Sequence, residues 1–384
     1  MKKIGFKAFM VSVTLLAFGL GMAGSAQAEE EKIKIPKWLQ DTKFSGDFRL
    51  RYQPQENQDY EEQSLERSRW RIRLRLGAVT KINDMWEVGL GVATGGNDPR
   101  STNWTLNEFE SIDMKFDYAY AKFKPAEWVS IEGGQIKNPI FIARDLMWDT
   151  DIRPDGFAAK MNWGVAKDMK LFVTPAVFIL DEKRERESGT QEMPIMGVLQ
   201  AGVDWKFLGK HRLQVAGSGY LNSNIEGWSS DNSGGYNSVD EDGNLIYDYN
   251  AFALDADVRF VDVLSFIPFI RLSGQYVVSD ADSKNTGWLA GLRFGQPTIW
   301  ERWKWQIRYN YRSLERDAWL DFLPDSDFFD GRTNGKGHEI SAYIGLAKNV
   351  TIGIDYYDTE AIDTPEPGEL YKQKILQADL VLRW

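Results

Sequence analysis

Arginine occupies positions 67, 69, 71, 73 and 75, while positions 70, 72, 74 and 76 between and beyond them are Trp, Ile, Leu and Leu. Guanidinium groups at this spacing make and break no bonds. Their chemistry is electrostatic: each is permanently charged and presents a planar fork of donors that matches carboxylates and phosphates. On a helix, side chains two residues apart point far from each other, so the five would scatter round the circumference. On a strand all five share one face and Trp70, Ile72, Leu74 and Leu76 share the other. Arg49 and Arg51 repeat the spacing upstream, and Arg308 lies on the same face as Arg312 downstream.

Bond chemistry finds little support. The two histidines are His211, at an expected short turn, and His338, at an expected loop boundary. Neither has a nucleophile in register with it, so a His-based hydrolase site is weaker than a reading of two solvated rim histidines. Asp240, Glu241, Asp242 and Asn244 crowd round Gly243 in the segment 238–250. That density of oxygens suits calcium, but the glycine comes too early for an EF-hand loop. We expect a solvated acidic loop there, and no metal or cofactor site elsewhere. The segment 138–155, NPIFIARDLMWDTDIRPD, mixes Ile140, Phe141, Ile142, Leu146, Met147 and Trp148 with Arg144, Asp145, Asp149, Asp151, Arg153 and Asp155. Its apolar anchors predict a loop that packs against the protein.

These groups need a scaffold, and the ends and composition narrow it. The first 28 residues run from Lys2, Lys3 and Lys7 through an apolar stretch to Ala26-Gln27-Ala28, the pattern of a cleaved secretory signal. The remainder, a leader at 29–41 and then the fold, carries 43 basic against 56 acidic residues and no cysteine. Disulfides and thiolate sites are excluded, and no basic block suggests nucleic acid. No later apolar run reaches the roughly 18 residues of a spanning helix. A mean hydropathy of −0.42 does not exclude a membrane barrel, whose strands alternate lipid-facing and lumen-facing residues.

Period-2 segments between turn signals predict sixteen strands, near 42–52, 65–81, 85–95, 110–124, 128–137, 156–165, 169–181, 193–206, 211–222, 248–260, 265–279, 285–296, 300–313, 335–346, 349–358 and 371–384. Their connections alternate. Tight turns such as Asn83-Asp84, Ala166-Lys167-Asp168, Pro297-Thr298 and Ala347-Lys348 interleave with longer loops at 53–64, 96–109, 138–155, 182–192, 223–247, 314–334 and 359–370. A meander with turns at one end and loops at the other is an outer-membrane barrel; a sandwich would need crossovers. Trp86, Trp128, Trp163, Trp205, Trp303 and Trp384 all fall at the short-turn ends, as an interfacial girdle requires. An arginine facing mid-membrane lipid costs about 2–4 kcal/mol, so five would exceed a typical net stability. The expectation is that they face inward, onto a wet lumen whose wall carries more basic than acidic residues.

FSGDFRLRYQ at 44–53, preceded by Pro36-Lys37-Trp38-Leu39, resembles the first strand of the putative porin family of Gram-negative bacteria. GGQIKNPIF at 133–141 is similar to the Gly-x-x-Lys-Asn-Pro segment that opens the third outer loop there and, more loosely, in phosphate-selective porins. The lysine cluster of the latter is missing from 138–155, and Trp384 ends the chain where phenylalanine is usual. The resemblance implies an all-β, sixteen-stranded antiparallel barrel, residues 42–384, in the outer membrane, with 138–155 folded inward as a constriction loop. It implies passive diffusion of small hydrophilic solutes or ions, contact with outer-membrane lipid and lipopolysaccharide, and is compatible with a homotrimer. The competing classes are an outer-membrane hydrolase and a non-conducting adhesin or structural barrel.

Overall fold

The first and last strands of the chain pair with each other, which closes the sheet. The computed structural model describes residues 40–61, 63–186, 189–365 and 369–384; the expected signal segment and nearly all of the leader lie outside the described residues. Sixteen long strands are present: β1 Lys43–Asp59, β2 Ser64–Lys81, β3 Trp86–Thr94, β4 Met114–Ala126, β5 Val129–Gln135, β6 Asp155–Ala166, β7 Met169–Ile179 and β8 Ile195–Phe207. They continue as β9 His211–Ser223, β10 Ala251–Val261, β11 Phe269–Ser279, β12 Thr286–Gly295, β13 Trp305–Leu314, β14 Gly335–Ala347, β15 Val350–Ala361 and β16 Leu370–Arg383. Each strand pairs antiparallel with its neighbours in sequence, and β1 pairs with β16 from Asp47↔Arg383 to Asp59↔Leu370. Closure leaves no unpaired edge, which a sheet in hydrocarbon must avoid. At the seam the Trp384 amide donates to the Gly46 carbonyl at 3.0 Å and the Gly46 amide to the Trp384 carbonyl at 3.1 Å. Both described ends of the barrel therefore lie on the short-turn side.

The binary pattern sets which way the strands face. In β10, Phe252 and Leu254 are exposed on the outer face, while Ala253, Asp255 and Asp257 are buried on the inner one. Five of the expected girdle tryptophans, at 86, 128, 163, 205 and 384, are exposed at short-turn ends, and Trp128 stacks on Trp163 at 5.8 Å.

Three connections differ from expectation. The expected loop 53–64 shrinks to 60–63, because β1 runs on to Asp59. Gln53 and Gln55 point inward there and find partners on β2, so a polar stretch that reads as loop continues the ladder. The expected turn at Pro297-Thr298 widens to 296–304. Proline cannot donate to a ladder, and the segment instead crosses to β14, with the Trp303 amide bonded to the Gly345 carbonyl at 2.8 Å. Trp303 is thus an exposed connection residue and not the end of a strand. Asp155 opens β6 instead of closing the loop before it.

The main apolar cluster lies inside the barrel. Trp148, Leu146 and Met147 from the loop after β5 meet Trp228 and Tyr249 from the loop after β9. Trp319, Leu320 and Phe322 from the loop after β13 join them against wall residues Phe178 and Tyr220. Trp148 lies 6.0 Å from Trp319 and 5.9 Å from Phe178, both edge-on. Burial of several large aromatics, at about 1.5–3 kcal/mol each, holds three loops inward as one body.

Candidate functional site

The β2 arginines stand directly opposite β1: Arg75 against Asp47, Arg73 against Arg49, Arg71 against Arg51, Arg69 against Gln53 and Arg67 against Gln55. Two residues of strand rise put successive guanidinium groups about 7 Å apart, so the ladder needs counter-charge or water. Both arrangements occur, at different heights. Asp47 accepts from Arg73 Nε at 2.8 Å and from Arg75 Nε at 2.7 Å. Arg51 holds Asp379 with both Nε and Nη2, each at 2.8 Å, and Arg49 lies 3.6 Å from the same carboxylate. Farther along, Arg69 donates to Gln55 at 3.0 Å, and Arg71 to Gln53 at 3.3 Å and to Ser101 at 3.4 Å. Among the described residues Arg67, Arg69 and Arg71 make no ion pair, and Arg67 is exposed.

The loop between β5 and β6 meets this face at one end. Arg75 Nη1 pairs with Asp151 at 3.1 Å, and Asp151 also accepts from the Thr102 hydroxyl at 2.8 Å. Burial disfavours the Asp151 carboxylate, but Arg75 and Arg73 outweigh it and hold its pKa below the ordinary value. Arg153 pairs with Asp117 on β4 at 3.2 Å. The middle of the loop reaches the opposite wall. Asp145 pairs with Arg312 at 3.0 Å, and Arg144 with Glu339 at 3.1 Å. The Ala143 amide donates to Asp255 at 2.7 Å. Asp149 is 6% exposed and accepts only backbone amides, those of Ser326 and Asp151, each at 2.8 Å. Burial, and then the charge of Asp151, push its pKa up to about 8.

Not every expected residue joins the group. Asp155 is exposed at the start of β6. Arg312 is a hub, held also by Asp325 and Glu339 at 3.1 Å each, with the Phe328 ring 4.1 Å away. Arg308, two residues before it, has no ion pair among the described residues and rests on the Tyr343 ring at 4.8 Å. His211 accepts the Val261 amide at 3.2 Å at the short-turn end, and His338 bonds the Tyr309 hydroxyl at 2.9 Å near the loop end of β14. They share no site. In the acidic segment 238–250, Asp240 receives the amides of Asp242 and Asn244, which closes a local turn.

The loop between β13 and β14 was not expected to enter the site. Asp327 pairs with Arg51 at 3.0 Å, and its pKa is held down to about 2 because Arg51 and Arg71 outweigh the effect of burial. The signal was present: Trp319, Leu320, Phe322, Leu323, Phe328 and Phe329 make this segment as rich in apolar anchors as 138–155. Arg100, in the loop after β3, binds the carbonyls of Asp321 and Gly331 at 3.2 and 2.8 Å and ties a third loop to it.

Open spaces flank the β1–β2 face. One of about 850 Å³ is bounded by Asp47, Arg73, Arg75, Lys137, Arg153 and Arg383, towards the short turns. Another, of about 150 Å³, lies towards the outer loops, lined by Arg69, Arg71 and Arg100 and also by Asp98, Asp327 and Asp330.

A closed sixteen-stranded barrel with an apolar outer face, a charged inner face and loops folded into its lumen defines an outer-membrane channel of the porin class. The chain belongs to the family described as "Putative porin", whose model matches residues 55–254 and 240–384. It is an outer-membrane protein through which small hydrophilic solutes and ions diffuse passively. Its fold is similar to that of Pseudomonas putida OprB at high pH (TM-score 0.57, 11% identity, 90% of this chain and 95% of that one). It is also similar to that of Salmonella typhi OmpF in complex with daunomycin (TM-score 0.51, 11% identity, 90% and 99%). Comparison with curated protein sequences finds no match.

Proposed function

We propose that solutes pass between the arginine face of β1 and β2 and the inward loops after β5 and β13, and that this eyelet favours small anions. One observation carries the sign. Arg67, Arg69 and Arg71 form no ion pair among the described residues, and Arg69 and Arg71 line open space. Inner acids without an ion pair, among them Asp149, Asp317 and Asp321 at 6%, 4% and 1% exposure and Asp255 and Asp355 on the wall, are buried. Charge that reaches lumen water acts on a passing ion, whereas charge tied in a pair or buried under protein does so weakly. Arg75–Asp151 and Arg51–Asp327 join the β1–β2 face to the loops after β5 and β13, so Arg144, Asp145, Asp149, Asp151 and Arg153 act by holding the constriction in place. Bond chemistry has no part in this reading. The exposed apolar outer face suits the lipid and lipopolysaccharide of a Gram-negative outer membrane, and membership of the family favours a homotrimer.

The zero-current potential in a tenfold KCl gradient tests the sign. The parent should favour chloride, and replacing Arg67, Arg69 and Arg71 with glutamine should move the potential towards potassium while the ion-paired framework stays intact. Preference for potassium in the parent, or an unmoved potential in the variant, would sink the proposal.

A further inference from the structure

Five arginines stand side by side across five consecutive strands. The register sets Arg212 opposite Arg259, Arg259 opposite Arg271, Arg271 opposite Arg293 and Arg293 opposite Arg308, so β9 to β13 carry one transverse row. Residues directly opposite are about 4.5–5.5 Å apart at Cβ, and like charges there repel. The row therefore requires counter-charge, and the protein supplies it at one end only. Asp204 takes Arg212, and Asp257, fully buried, takes both Arg259 and Arg271. There the acids stop.

Arg293 and Arg308 form no hydrogen bond and no ion pair among the described residues, and the Nε of each is buried without a partner. Arg293 lies over the Phe269 ring at 4.7 Å, and Arg308 over Tyr343 at 4.8 Å. These faces orient the two guanidinium groups but leave their charge in place. The next residues along the row are Ser341, opposite Arg308, and then Asp355, which accepts the Tyr343 hydroxyl. Both side chains are half-buried, and a guanidinium group that gives up part of its water without gaining an acceptor is costly, so the pair favours an anion that completes it.

A cavity of about 80 Å³ opens at this place, lined by Arg144, Arg271, Ser273, Arg293, Arg308 and Asn310. Arg144 is already neutralised by Glu339 at 3.1 Å and Asp145 at 3.5 Å, and Arg271 by Asp257. Arg293 and Arg308 remain without an ion pair, with a hydroxyl and an amide beside them. Liquid water occupies about 30 Å³ per molecule, so the space is of the size of two or three waters or one tetrahedral oxyanion. We propose that this cavity binds a single phosphate- or sulfate-sized oxyanion between Arg293 and Arg308, where the loop after β5 crosses to β11–β13. Guanidinium forks suit it, because each can give an oxyanion two parallel hydrogen bonds. The site is separate from the β2 ladder and stands whether or not the ladder sets the sign of the current.

Equilibrium dialysis of the detergent-folded full chain against labelled inorganic phosphate tests it, with heat-modifiable electrophoretic mobility as the check on folding. The parent should bind about one phosphate per chain saturably, displaced by sulfate and not by chloride at equal ionic strength. R293Q/R308Q should lose this binding, and R293K/R308K should weaken it at least tenfold by keeping the charge without the fork. No saturable binding in the folded parent, or unaltered binding in both Arg293/Arg308 variants, would overturn the proposal.

Discussion

Arg51 and Asp379 lie directly opposite each other across the seam of the barrel, 328 residues apart in the chain, and are joined by two parallel hydrogen bonds of 2.8 Å. The pair is buried, and Arg51 also holds Asp327 from the loop after β13. One arginine thus couples closure of the sheet to the seating of a loop. Breaking a buried pair so that one charge is left uncompensated costs about 3–5 kcal/mol; here Asp327 still faces Arg51, so the cost falls below that range. Asp379→Asn should therefore lower the urea midpoint of the folded barrel. Arg49, 3.6 Å from the same carboxylate, adds to the loss. An unchanged midpoint would mean that water already shares the pair.

Trp148 makes the second prediction. It is 2% exposed and sits among Phe178, Tyr220 and Trp319, its indole N–H donating to the Tyr220 hydroxyl at 3.3 Å. Truncation of such a residue costs about 3–5 kcal/mol, and here the loss falls on the packing of loops against each other, not on the strand ladder. Trp148→Ala should leave the barrel assembled, with its mean single-channel conductance raised and its open-state current noisier. A quiet channel of parental conductance would show that the ion pairs at Asp145 and Asp151 seat the loop without the aromatic cluster.

The sequence made the strands legible because one rule, alternation of polar and apolar residues, holds wherever one face meets lipid. Arg67 to Arg75 could not be read as anything but a strand, and β2 follows them closely. The rule fails where the lipid ends. Gln53 to Asp59 lie beyond the apolar stretch of β1, so their alternation is of polar with polar and carries no signal, although the ladder continues through them. Loops are harder for another reason. The anchors of 138–155 pointed to packing, and the same argument applied to Trp319 and Phe322 would have brought in the loop after β13. Which carboxylate meets which arginine depends on register across strands distant in sequence, as with Arg51 and Asp379, and no local pattern encodes that.

The last prediction concerns pH. Asp149 has its carboxyl pKa pushed up to about 8 by burial and by Asp151. Asp325, also buried in the lumen, is raised in the same direction by burial and by Asp145, against the pull of Arg312. Asp151, Asp145 and Asp327 are shifted the other way, so they stay ionised throughout the neutral range. A raised pKa means that the docked loop binds a proton more tightly than the undocked one. Its contribution is therefore fully present below the ordinary carboxyl value, about pH 4, and is lost as pH rises through the docked value. Over that window Asp149 alone weakens docking by at most about 1.4 kcal/mol per pH unit. Open-state current noise should accordingly be lowest near pH 5 and rise towards pH 9. Asp149→Asn, which cannot ionise and keeps one of the two oxygens that accept the Ser326 and Asp151 amides, should flatten most of that rise and leave a remainder from Asp325. If the variant keeps the full pH response of the parent, Asp149 is not the group that loosens the loop.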